Sequence, residues 1–128
     1  MKKVLILGAT GLIGHQIFLR LKARKDYKVI SFAYKRKIEE GTVLFSARNE
    51  QLLEKKIVEV KPDIIVNSMG VLIAEANRDS ESAIFLNAYI PQRLKTVANR
   101  LGANLVHLST DCVFSGKKGS YIESDIKD

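Results

Sequence analysis

The sequence predicts an α/β fold: a doubly wound parallel sheet between two layers of helices. Three observations predict it. Short apolar runs alternate with segments of helical period along the whole chain. The first run, Val4-Leu5-Ile6-Leu7, passes directly into Gly8-Ala9-Thr10-Gly11-Leu12-Ile13-Gly14 and then into a helical pattern. No repeat, low-complexity tract or linker interrupts the order, so residues 1–128 read as one domain with a core of its own.

The elements follow in turn. Val4–Leu7 has room for a strand and none for a helix. Ile13, Ile17, Phe18 and Leu21 recur at helical spacing, with Arg20, Lys22, Arg24 and Lys25 outward and a polar stop at Lys25-Asp26. Val29–Ala33 is the second strand and Thr42–Phe45 a weaker third. Asn49 or Ser46 can cap a helix that carries Leu53, Ile57 and Val60 on one face, which Lys61-Pro62-Asp63 ends. Ile64–Val66 is a buried fourth strand ending at Asn67. Ala83–Leu101 predicts a long helix with Ile90, Leu94, Val97 and Leu101 inward, stopped by Gly102; Asn104–Leu108 is the fifth strand. Sheets of this kind bind ligands beyond the C-terminal ends of their strands. The exits are Gly8, Ala33, Phe45, Asn67 and Ser109.

Composition narrows the class. With 46% hydrophobic and 27% charged residues the chain is globular rather than disordered. No apolar run approaches the ~20 residues that span a bilayer. Met1-Lys2-Lys3 and the apolar run after it pass into glycine turn chemistry rather than a cleavage site, which argues against a secretion signal. The single cysteine, Cys112, reads as a small buried hydrophobe in a protein of the reducing cytoplasm. The net charge of +7 is uneven: residues 1–61 hold 14 Lys/Arg against 6 Asp/Glu, residues 62–128 hold 7 against 8. The basic half is the one that would carry phosphates. Its cations come singly or in short groups without aromatic platforms between them, so nucleic acid is not the expected partner.

The glycine segment supplies the chemistry for a dinucleotide. Gly8 makes the tight turn, Gly11 lets a pyrophosphate approach the backbone, and Gly14 lets helix and strand pack closely. Thr10, Gly11, Leu12 and Ile13 bring backbone N–H groups and the positive end of the helix dipole to the phosphates. No Gly-Lys-Ser/Thr follows, which excludes a triphosphate loop of the usual kind. After the second strand stand Tyr34-Lys35-Arg36-Lys37, where a protein preferring NAD usually offers a carboxylate to the ribose 2′-hydroxyl. Cations there favour the 2′-phosphate of NADP(H), with NAD(H) the alternative. Asn67-Ser68-Met69-Gly70 is either a small-residue platform for a flat cofactor or a tight turn. Pro91, with no N–H for the Asn87 carbonyl, predicts either a kink that frees that carbonyl or the first turn of a second helix. Thr110, in Ser109-Thr110-Asp111, can polarise a carbonyl substrate or simply cap a turn. His107 reads as a packed core residue and His15 as a surface one. No residues have metal-ligand spacing.

These residues resemble the extended short-chain dehydrogenase/reductase superfamily, a Rossmann-type fold, and within it the dTDP-4-dehydrorhamnose reductase group. The likeness rests on Gly8-x-x-Gly11-x-x-Gly14, Lys61-Pro62-Asp63-Ile64-Ile65-Val66-Asn67, Asn87, and Ser109 to Gly116. Gly119, Tyr121, Glu123 and Asp125 extend it. The resemblance implies hydride transfer from NAD(P)H to a 4-keto-6-deoxy sugar nucleotide, in surface-polysaccharide synthesis. It makes Thr110 the Ser/Thr of a Ser/Thr–Tyr–Lys catalytic set and Asn87 the helix residue whose carbonyl supports a relay water. A homodimer is among the assemblies it leaves open.

Two departures stand out. Leu44-Phe45 replaces the acidic residue that the family often sets near the adenine. No Tyr-x-x-x-Lys occurs, since Tyr121 is followed four residues on by Asp125. By the family's order that pair and the sugar-binding lobe would come after Asp128, so these residues alone are expected to bind cofactor without turnover. Rival readings are an NADP-sensing protein without the pair and an epimerase or dehydratase holding NAD.

Overall fold

β1 (Lys2–Leu7) is the middle strand of the sheet because both of its faces are apolar. In the computed structural model, which describes residues 1–128, its alternate side chains feed two separate cores. Leu5 and Leu7 join Phe32, Ile65 and the inward residues of α2 (Glu50–Val60) and α5 (Ile90–Leu101) on one face. Val4 and Ile6 join Val29, Val66 and Phe18 of α1 (Leu12–Lys22) on the other. A strand buried on both sides needs a continuous apolar run, which is what this one has.

The remaining strands are β2 (Tyr27–Ala33), β3 (Val43–Leu44), β4 (Ile64–Asn67) and β5 (Asn104–His107). All pair in parallel, in the order β3-β2-β1-β4-β5, with Leu7 level with Phe32 on one side and with Asn67 on the other. The order reverses between β1 and β4, and the crevice at such a reversal is where ligands bind. Gly8 and Ser68 begin the two loops that leave this point.

The helices differ in detail from the expected ones. α1 ends at Lys22 rather than Lys25, and its buried residues are Gly14 and Phe18. Ile13, expected inward, is 56% exposed, because the glycine one step on turns the bare face of the helix to the sheet. Asn49 caps α2, accepting the Leu52 N–H, and Lys61 closes it in the left-handed conformation. A short helix that the sequence pattern did not reveal, α3 (Ile73–Arg78), precedes α4 (Ser80–Ile84). α4 runs through a π-helical turn (Phe85–Tyr89) into α5 with helical dihedrals throughout. Of the two readings of Pro91 the structure shows the second: it lies in the first turn of α5, directly after the π-helical turn. Arg93, paired with Glu50 (3.0 Å) and Glu54, ties this region to α2, and the Tyr89 hydroxyl donates to Glu50 at 2.8 Å.

Within residues 1–128 β5 is the outermost strand, and two expectations differ from what is seen there. His107 is exposed rather than packed, and Val106 is 49% exposed. Cys112 is exposed too, in a short 3₁₀ turn (Asp111–Val113) beyond the sheet where nothing packs over it. His15 is exposed, as expected.

A Cβ placed on Gly14 would lie 2.2 Å from the Gly8 carbonyl oxygen and 2.5 Å from Ser68 Oγ, whereas one on Gly41 would meet nothing. Gly14→Ala is therefore expected to lose about 3 kcal/mol, at the upper end of overpacking costs. Gly41→Ala is expected to stay within about 0.5 kcal/mol of the parent. Denaturant midpoints at constant m-value measure both.

Candidate functional site

Above the strand ends lies a cleft of about 650 Å³. Its inner wall is the glycine turn. Gly8 takes a φ of +80°, and a Cβ there would crowd Ser68 and the Met69 nitrogen at 3.1 Å, so only glycine turns the chain this tightly against β4. The Gly8 and Ala9 N–H groups both donate to the Phe32 carbonyl, and Gly11 donates back to Gly8 at 3.0 Å. Gly11, extended at φ −73°, ψ 167°, opens α1 with no side-chain cap. The first-turn N–H groups are left for an acceptor from outside, at the positive end of the helix. No acidic residue in the first turn opposes an anion there.

The β4 exit is braced onto this turn. Ser68 Oγ donates to the Leu7 carbonyl (2.7 Å) and lies 3.3 Å from that of Gly8. Asn67 is fully buried; its Oδ1 accepts the Met69 N–H and its Nδ2 lies 3.1 Å from His107 Nδ1, bridging β4 to β5. Asn87, on the π turn, holds the same loop from above. Its Oδ1 accepts the Val71 N–H at 2.9 Å and its Nδ2 donates to the Val71 carbonyl at 3.0 Å.

Of the residues singled out from the sequence, Gly8, Thr10, Gly11, Tyr34, Ser68, Met69 and Gly70 line the cleft together. Gly14 and Asn67 lie beneath it as packing and bracing residues. Leu12 (87% exposed) and Ile13 stand at the head of α1 outside the wall. Lys35 and Arg36 are exposed beyond Tyr34, with the Lys35 ammonium 5.3 Å from the Tyr34 ring centre. Thr110 is also outside the cleft, where it caps the turn after β5 by accepting the Cys112 N–H.

Four charged residues of the wall escaped the sequence reading: Arg48, Glu75, Arg78 and Asp79. Arg48 follows the β3 exit, and its guanidinium donates across the cleft to Asp79 (3.4 Å) and to Ser82 Oγ. The Ser82 hydroxyl (2.5 Å) and N–H (2.9 Å) hold the Asp79 carboxyl below its ordinary range, and Arg48 adds to that pull. The signal was available, since Phe45, three residues earlier, is itself a strand exit.

Strand order, glycine turn and cleft together define a Rossmann-type α/β domain. The chain belongs to the family described as the RmlD substrate binding domain, whose model matches residues 1–128. It is similar to a dTDP-4-dehydrorhamnose reductase of Burkholderia thailandensis, at 30% identity over 131 residues. It is equally similar to methionine adenosyltransferase 2 subunit beta of Xenopus laevis, at 30% over 126. These matches cover 96% and 98% of this chain but only 39% and 37% of the relatives, so the chain spans well under half of their length. Among solved structures it superimposes on a hypothetical dTDP-4-dehydrorhamnose reductase from Sulfolobus tokodaii with a TM-score of 0.89. Identity there is 29%, over 98% of this chain and 45% of that one. A dTDP-4-dehydrorhamnose reductase from Bacillus anthracis in complex with NADP gives 0.77 and 26%, over 91% and 39%.

The Asn87 clasp is directly testable. Asn87→Ala is expected to speed hydrogen exchange at the Val71 amide about tenfold, which corresponds to a lost bond of about 1.4 kcal/mol. Unchanged exchange would contradict the clasp.

Proposed function

We propose that residues 1–128 form one dinucleotide-binding domain of a nucleotide-sugar reductase that uses NADP(H). The single observation that carries this is the bare glycine turn: Gly8, Thr10 and Gly11, at the uncapped head of α1, line a cleft that runs past Tyr34 to the β3 exit. The residues fit such a cofactor. Gly8, Thr10 and Gly11 would hold the diphosphate, Ser68, Met69 and Gly70 would flank it, and Leu12 and Ile13 would contribute first-turn amides. When bound, the cofactor supplies hydride. Lys35 and Arg36 take part in no ion pair of the structure, so both are free to meet a 2′-phosphate. The match to a reductase in complex with NADP supports the same preference.

Thr110, beyond β5, would hydrogen-bond the sugar carbonyl. Asn87 would offer its carbonyl to a relay water, while its side chain keeps the β4 loop in place. No Tyr-x-x-x-Lys lies within residues 1–128, so these residues bind cofactor and lack the proton donor for turnover. The same missing pair favours a second reading, in which NADP is bound without being turned over.

NADPH is expected to raise the melting temperature more than NADH at equal concentration; a hundredfold excess over Kd contributes about 2.7 kcal/mol. Equal shifts would remove Lys35 and Arg36 from the account. Gly11→Val is expected to fold, since a Cβ there meets only the Gly8 oxygen at 3.3 Å, and to abolish both shifts. A variant that still responds would place the diphosphate elsewhere.

A further inference from the structure

We propose that Arg48, held across the cleft by Asp79 and Ser82, is the residue that receives the adenine ring. The inference rests on the dinucleotide reading above and adds one contact of its adenine end. With the diphosphate at Gly8–Gly11, the cleft extends from β1 over β2 to the exit of β3, away from β5 and Thr110. It is therefore the adenosine half of the site. Its far end has an apolar floor of Phe45, Ala47, Met69 and Leu86, suited to a flat neutral heterocycle.

Charge decides between the ring and the 2′-phosphate. The wall at this end holds two cations and two anions, Arg48 and Arg78 against Glu75 and Asp79. A guanidinium paired to a carboxylate in a neutral cluster presents little field to a dianion. It still presents N–H groups and a flat face to the ring nitrogens of adenine. Arg48 uses only Nη2 on Asp79 and Ser82; its Nε and Nη1 make no hydrogen bond within the protein. The clasp fixes the fork in advance, so less side-chain freedom is lost when a ligand arrives. Lys35 and Arg36, outside this cluster, are left for the additional phosphate.

Titration calorimetry of the parent, Arg48→Met, Arg48→Lys and Lys35→Ala/Arg36→Ala with ADP-ribose and 2′-phospho-ADP-ribose tests this. Arg48→Met is expected to weaken both ligands by the same factor, about tenfold for one lost charge-assisted bond. Arg48→Lys is expected to recover little, because an ammonium lacks the planar fork. The double variant is expected to weaken the 2′-phospho ligand alone. A loss in Arg48→Met confined to the 2′-phospho ligand overturns the assignment in favour of a phosphate contact. Unchanged binding of both ligands overturns it outright, with the dinucleotide reading intact. A parent that binds neither ligand overturns both readings.

Discussion

The fold and the site depend on one close approach, that of α1 to the end of β1. Gly14 faces the Gly8 carbonyl with no room for a methyl group, and Ser68 fills the third side of the contact. That proximity fixes the angle at which α1 leaves the sheet. It also sets the open amides of the first turn beside the β4 exit, where the strand order reverses. If the helix were lifted by the width of a side chain, the Gly8 turn would loosen from Ser68 and the inner wall of the cleft would go with it. Interiors packed to crystal density do not absorb such a change smoothly.

Around this contact the site is held by polar braces rather than by bulk. Asn67 ties β4 to β5 from below, Asn87 holds Val71 from above, and Arg48 spans the mouth to Asp79. Each joins a loop to a neighbouring element by a few directed bonds. A site that must admit a large ligand gains from this, since the walls stay separate while their positions remain defined. The two faces of the sheet contribute unequally. The α2 and α5 face carries the larger core, whereas the α1 face gives up side-chain volume at Gly14 in exchange for backbone access.

Much of this was legible in the residues. β1 and β4 announce themselves because strands covered on both faces need a nearly continuous apolar run, and the glycines at 8, 11 and 14 gain their meaning from following such a strand and opening a helix. The edges were harder. Val106 and His107 look like core residues by local pattern, whereas within residues 1–128 they lie on the outermost strand and nothing covers them. α3 escaped because Ile73-Ala74-Glu75-Ala76-Asn77-Arg78 is a six-residue helix with no buried face to give it a period. Arg48 escaped because its partners lie 31 and 34 residues away on α4 and its cap. Only the folded chain brings a cation beyond β3 to an anion beyond β4. The likeness to nucleotide-sugar reductases, by contrast, was carried by contiguous motifs that sequence alone preserves.

The central claim is that the open amides at the head of α1 receive a diphosphate. Amide nuclear magnetic resonance during titration with ADP-ribose tests it most directly. The account predicts that the amides of Leu12 and Ile13 shift first and furthest, followed by those of Ser68 and Met69. Largest shifts elsewhere, with these four amides unmoved at saturation, would contradict it.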